Sequence, residues 1–195
     1  MKDSKNFIQN KYKGDKAELD IKHILESSGY KVRKFGIEQN YQKIIDMIKF
    51  NRESDSNRRL LHSPDFVVVD PENNEAKFVE VKIKTNITYF NEEKTKIWFN
   101  RGAIEDYSKL WGEVIIVVVI SGSPWVLCVN TNDIDQRKHL VEVGKDGEGK
   151  LIEKWKFKEV YKEISDVFPK VNKKLVQELY ENKAMGNTEN GRKIY

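Results

Sequence analysis

Asp65, Glu80 and Lys82 are the residues whose types and spacing could do chemistry together. In residues 76–84, AKFVEVKIK, strand alternation points Val79, Val81 and Ile83 one way and Phe78, Glu80 and Lys82 the other, so Glu80 and Lys82 stand side by side. Asp65 opens the preceding β-branched run, FVVVD, and PENNE between the two runs is a turn by composition. A hairpin with its turn centred near Asn73 sets Asp65 opposite the Glu80–Lys82 stretch, within one residue of register. Glu18, at the edge of the apolar side of an earlier helix, is the candidate fourth member.

Two carboxylates and an ammonium at one spot suit the hydrolysis of a phosphodiester. Magnesium takes hard oxygen ligands in octahedral geometry and keeps several waters. Asp65 and Glu80 are the expected metal ligands, with the Val81 carbonyl as a third and Glu18 as a possible contributor to a second ion. Manganese should substitute. Lys82 would orient the attacking water or neutralise charge growing on the phosphate. The plainer alternative is a half-solvated hairpin in which Glu80 and Lys82 form a surface ion pair of little energetic value.

Several elements must position these groups. A helix capped by Asp15 is expected to run to about Ser28, with Ala17, Ile21, Ile24 and Leu25 inward and Gly29 ending it. YKVRKF (30–35) reads as a strand, and residues 41–50 as a short helix. Residues 51–59 read as an exposed loop. After the hairpin come a helix at 103–110 broken by Gly112, a continuously apolar strand at 113–120 covered on both faces, and a strand WVLCV at 125–129. Amphipathic helices are expected between Lys154 and Tyr180. These readings give an α/β fold with a mixed central sheet flanked by helices and an additional C-terminal helical segment. The expected organisation is a flexible basic arm at 1–12, one domain at 13–183 (core about 15–129, extension about 130–183) and a disordered tail at 184–195.

Pro64-Asp65, then residues 66–79, then Glu80-Val81-Lys82 resembles the signature of the PD-(D/E)XK nuclease superfamily, which includes restriction endonucleases and Holliday-junction resolvases. The resemblance implies a restriction-endonuclease-like core in αβββαβ order, with Asp65 and Glu80 as metal ligands and Lys82 as the catalytic lysine. Glu18 matches the acid that many members carry on the first core helix. It covers about residues 15–129. One exonuclease subgroup places a glutamine four residues before a tyrosine on the next helix; Ala103 stands at that offset from Tyr107. The expected activity is Mg²⁺-dependent cleavage of DNA, as an endonuclease acting alone or as a homodimer. A non-cleaving nucleic-acid-binding or assembly protein on the same fold, and a ribonuclease of the tRNA-cutting toxin type, are the rival expectations.

Composition narrows the classes further. The 35 basic and 31 acidic residues nearly cancel, to a net charge of +4, so basic patches beside acidic ones are expected. A single cysteine excludes a disulfide framework and any cysteine-built zinc or iron–sulfur centre. The longest apolar run is far too short to span a bilayer, and the polar N-terminus is unlike a signal peptide, so the expected setting is cytoplasmic with no membrane partner. Candidate nucleic-acid contacts are Lys84, Lys94, Lys96 and Arg101, interleaved with Tyr89, Phe90, Trp98 and Phe99. The alternative for that stretch is a β-ribbon packing Ile97 and Phe99 inward. Lys31, Arg33 and Lys34 form a second candidate edge, and Arg58 and Arg59 a third, on a loop expected to close over substrate.

Overall fold

Valine and isoleucine runs organise the molecule. The computed structural model describes residues 2–35, 42–48, 51, 54–84, 97–120, 126–134, 140–145, 151–157 and 161–186. Within these, nine strands and six α-helices are seen. They are α1 (Lys2–Ser27), β1 (Lys31–Lys34), α2 (Gln42–Ile48), α3 (Asp55–Leu61), β2 (Phe66–Asp70), β3 (Glu75–Lys84), β4 (Ile97–Asn100), α4 (Arg101–Trp111), β5 (Val114–Ile120), β6 (Val126–Asn130), β7 (Leu140–Lys145), β8 (Leu151–Phe157), β9 (Lys162–Glu163), α5 (Ile164–Val167) and α6 (Lys173–Gly186). The main sheet is six-stranded and open, in the order β1-β2-β3-β5-β6-β9. It is mixed: β3 and β5 run parallel, Glu80 beside Ile116, and the other pairs are antiparallel. A second, antiparallel sheet has the order β4-β8-β7.

β5 shows why the sheet holds. All seven of its residues are buried. Ile115, Val117 and Val119 face one core with Ala17, Ile21, Ile24 and Leu25 of α1 and with Phe168 and Val176 near the C-terminus. Val114, Ile116 and Val118 face a second core with Phe99 and with Ile104 and Tyr107 of α4. An alternating strand that is apolar at every position needs a cover on each face, and α1 and α4 supply the two covers. Each such fully buried side chain contributes about 1.5–3 kcal/mol. Cys128 of β6 belongs to the first core, where burial pushes its thiol far above the ordinary range, so it behaves as a small apolar residue.

Local chemistry ends the elements where the core needs them to end. Gly29 adopts φ 91°, and the bonds Tyr30 N–H to Leu25 O (3.1 Å) and Gly29 N–H to Glu26 O (3.1 Å) close α1 in a left-handed cap that lets β1 turn back under it. Asn100 caps α4 by accepting from Ala103 N–H at 3.4 Å. The buried Thr131 hydroxyl accepts from Val114 N–H (2.9 Å) and donates to Gly112 O (3.2 Å), fixing the turn from α4 into β5. In the β2–β3 turn, Asp70 and Asn73 side chains accept from Glu72 and Glu75 N–H, and Asn74 takes φ 58°.

Four expectations are corrected. α1 already runs from Lys2, so Asp15 lies inside it and does not cap it, and most of the expected arm is helical backbone. Residues 55–61 are not loop but α3, capped by Ser54, whose hydroxyl accepts from Asn57 N–H. The region from Lys154 is strand β8, not helix, and the C-terminal helices begin at Ile164 and Lys173. The pairing of residues 97–100 with β8, and of β8 with β7, in a second sheet was not expected. Residues 97–100 form strand β4 with Phe99 buried, the ribbon alternative for that short piece. The part of the expected tail beyond Gly186 lies outside the described residues. Among the described residues no helix is long and apolar enough to cross a membrane.

Candidate functional site

The β2–β3 ladder pairs Phe66 with Val79, and Phe66 and Val79 both point into the α1-side core. One residue further out, Asp65 and Glu80 stand opposite each other and, by alternation, lean to the α4 side. Pro64 is buried, and Phe35 N–H donates to the Asp65 carbonyl at 2.9 Å, which holds the chain as it enters β2. The Asp65 carboxylate accepts from Val81 N–H at 2.7 Å. The hairpin thus carries its acid on a fixed mount, as the sequence spacing requires.

Glu80 is the only charged residue that is buried among those described, at 3% exposure. Its Oε1 accepts a short hydrogen bond from Lys82 Nζ. Its Oε2 is buried with no hydrogen-bond partner. A desolvated carboxylate oxygen with nothing to accept is costly, and such atoms in folded proteins call for an explanation. Lys82 reaches it from a half-exposed position, with 42% of its side chain open to solvent. The lysine therefore touches the buried acid and faces solvent at once.

Asp65 records the same imbalance. Its carboxyl is pushed up to about 8, first by burial and then by the negative charges of Glu80 and Glu18; the Val81 N–H bond and Lys82 oppose the shift. Negative charge is in excess at this point of the sheet. A bound divalent cation would oppose that shift and favour the charged form of Asp65.

Glu18 approaches from the other side of the sheet, because α1 packs on the face that carries Val79 and Val81. Its field reaches Asp65, but its Oε2 accepts from Lys34 Nζ at 3.0 Å. Among the described residues no group of three or more His, Cys, Asp or Glu side chains is arranged to hold a metal. A cation at this place would rest on Asp65 and Glu80, completed by backbone oxygen and water. Val81 has a contribution that spacing did not foretell: its N–H donates to the Asp65 carboxylate.

The expected cationic contacts divide. Lys84 lies two residues beyond Lys82 on the same face of β3, with Nζ 4.8 Å from the centre of the Phe99 ring. Arg101, at the start of α4, donates from Nε to Glu105 at 2.7 Å. These two sit at the Lys82 end of the sheet. Arg33 is exposed and opposite Val67. Lys31 is exposed at the far end of β1, opposite Val69, and does not join the site. Arg59 is exposed on α3, whereas Arg58 is bound to Asp106 of α4 by a short ion pair and does not ride on a loop free to close. Lys94 and Lys96 lie outside the described residues.

Sequence reasoning missed the anchor that Asp106 provides. Its carboxylate takes Arg58 on one oxygen and His62 Nε2 at 3.2 Å on the other, while the His62 ring meets Tyr107 edge-on at 6.3 Å. This ties α3, and hence the Ser63–Pro64 lead into Asp65, to α4. No local pattern announces it, since 44 or more positions separate the partners, from His62 to Asp106. No protein-family model, curated protein or solved structure matches the chain significantly.

Proposed function

We propose that this protein is a metal-dependent nuclease of the PD-(D/E)XK kind that hydrolyses phosphodiester bonds in DNA, as an endonuclease. The observation that carries the reading is Glu80: a buried carboxylate with one oxygen given to Lys82 and the other left without a partner, beside an Asp65 crowded by negative charge. The chain order supports it. α1, β1, the β2–β3 hairpin, α4 and the parallel strand β5 come in that order, with α2 and α3 before the hairpin and β4 after it, and the acids lie at one end of the hairpin. With α2, α3 and β4 taken as insertions, that order resembles the αβββαβ order expected of a restriction-endonuclease-like core.

Asp65 and Glu80 would hold the cation, Mg²⁺ or in its place Mn²⁺, with the Val81 carbonyl completing the protein's share. When bound, such an ion polarises the phosphate and lowers the pKa of a coordinated water. Lys82 does the rest of the work at the reacting centre. Its ammonium is anchored by Glu80 and open to solvent, so it can hold the attacking water or a non-bridging phosphate oxygen. Water attacks phosphorus and gives up one proton to solvent, the bond to the leaving sugar oxygen breaks, and that oxygen takes one proton from solvent. Lys84, over the Phe99 ring, and Arg101, bonded to Glu105, would be the cations to meet the flanking phosphates of a duplex.

Incubation of the purified chain with supercoiled plasmid and Mg²⁺, beside Lys82→Ala, tests this. Nicking or linearisation that is absent in the variant and abolished by chelation is expected. Binding without cleavage in both Mg²⁺ and Mn²⁺ would sink the proposal, and exclusive digestion of a parallel tRNA sample would reassign the substrate.

A further inference from the structure

α1 is longer than its core requires. Its 26 residues span about 39 Å, yet among the described side chains those it buries, Ala17, Ile21, Ile24 and Leu25, all lie in its C-terminal half. Residues 8–13 are exposed one after another. A helical stretch exposed along six successive residues is marginal in water by itself, because nucleation is unfavourable and short helices lean on tertiary packing.

The exposed apolar residues on α1 are not scattered. Ile8, Tyr12 and Leu19 are 65%, 68% and 63% exposed. At about 100° per residue they fall within about 40° of one another, on a stripe whose steps of four and seven residues are those of a coiled-coil seam. The stripe is turned about 180° from the core face, Tyr12 against Ile21 and Ile8 against Ala17. Something could cover it without disturbing the domain.

Charge says what would fit. Residues 2–14 carry four lysines against one aspartate; residues 15–27 carry four acids against two lysines. A parallel copy would set like against like. An antiparallel copy sets each basic half against the other's acidic half. The same reversal, about a twofold axis between Lys13 and Gly14, places Ile8 across from Leu19 and Tyr12 across from Asp15.

We propose that the exposed stripe of α1 pairs with α1 of a second copy of this chain, antiparallel, with Ile8 of each copy packed on Leu19 of the other. The interface is short and modestly apolar, so the dimer forms and dissociates with concentration. It involves neither Asp65, Glu80 nor Lys82, and stands or falls independently of the nuclease reading.

Sedimentation velocity over a concentration series tests it, with Ile8→Glu and Leu19→Glu as variants and circular dichroism as the folding control. The wild type should move from monomer to dimer, and each variant should weaken the dimer by about tenfold or more while leaving helix content unchanged. Orientation is read by a short bis-thiol linker. A mixture of the I8C and L19C chains should cross-link efficiently, and I8C alone should not, since equivalent positions lie about 16 Å apart along the paired helices. The one native cysteine is buried and does not compete. A wild type that stays monomeric at all concentrations overturns the proposal, as do variants with unchanged association. Efficient linking of I8C to itself overturns the antiparallel arrangement. If the variants instead weaken binding of a duplex or an anionic vesicle while the mass stays monomeric, the stripe serves that surface and the proposal fails.

Discussion

The β2–β3 hairpin carries carboxylates at both ends, met by Lys170 from outside the hairpin at the turn and by Lys82 of β3 at the other end, and the two ends are opposite in character. At the turn, Lys170 Nζ donates to Asp70 at 2.6 Å and lies 3.0 Å from Glu72, with its ammonium 5.6 Å from the Tyr30 ring centre. Its backbone N–H donates to the Tyr30 hydroxyl at 3.4 Å. Every charge there has an answer, and the Lys170 hydrogen bond holds Asp70 below its ordinary value. At the open end, burial replaces solvent, Glu80 Oε2 has no partner, and Asp65 is driven upward. The same residue types therefore build a structural clamp in one place and a charge-deficient site in the other. What separates them is desolvation, the first cause of the upward shift at Asp65 and a minor influence on Asp70, where the Lys170 hydrogen bond prevails.

That contrast can be broken by experiment. The largest effect is expected in cleavage. Glu80→Gln or Lys82→Ala should lower the Mg²⁺-dependent rate by about 10²–10³-fold or more in plasmid assays, and Lys170→Ala should leave it within a few-fold of wild type. Equal losses at both ends would erase the distinction. Next is metal-linked stability. Mg²⁺ at about a hundred times its dissociation constant should stabilise the folded wild type by about 2.7 kcal/mol, read as a rise in Tm. Asp65→Asn, which keeps an acceptor for Val81 N–H but loses the charge, should abolish most of that rise; Asp70→Asn should not.

The pH response should have opposite signs at the two ends. Asp65 has a folded value raised from 3.8 to about 8, so the metal-free native state holds a proton that the unfolded chain has lost between those values. Its contribution is present in acid and lost as pH rises through that window. Asp65→Asn should flatten this fall in chelator-treated protein, and a wild-type stability that rises from pH 5 to 8 by an Asp65-dependent amount would contradict the assignment. Asp70 is lowered, so its contribution is present above 3.8 and lost as pH falls through its folded value. The smallest effect is that of Lys170→Ala on Tm at neutral pH, a few degrees at most, because solvated ion pairs contribute little.

Much of the frame was readable along the chain because it is written in short-range periodicity. FVVVD, PENNE and AKFVEVKIK gave a hairpin, and the hairpin alone put Asp65 across from Glu80. The unbroken apolar run of β5 announced a strand covered on both faces. Other elements escaped for physical reasons. DSNRRLL looks like loop by composition, and its helix is held by Arg58 and His62 meeting Asp106 far along the chain. LIEKWKF is rich in helix-forming lysine and glutamate, and becomes strand because it pairs with β4 and β7. Propensity is a weak local preference, and a ladder of hydrogen bonds to distant residues overrides it.

For the candidate site, the chain determined which residues could meet: two acids and a lysine at fixed offsets on a pleated hairpin. The packed structure decided what meeting does to them. Burial at the junction of α4, β3 and β5 strips water from Glu80, Lys82 satisfies one oxygen only, and Lys34 draws Glu18 aside. Charge type is a property of sequence, but the cost of a charge depends on the dielectric and partners around it, and those come from residues scattered across the whole chain.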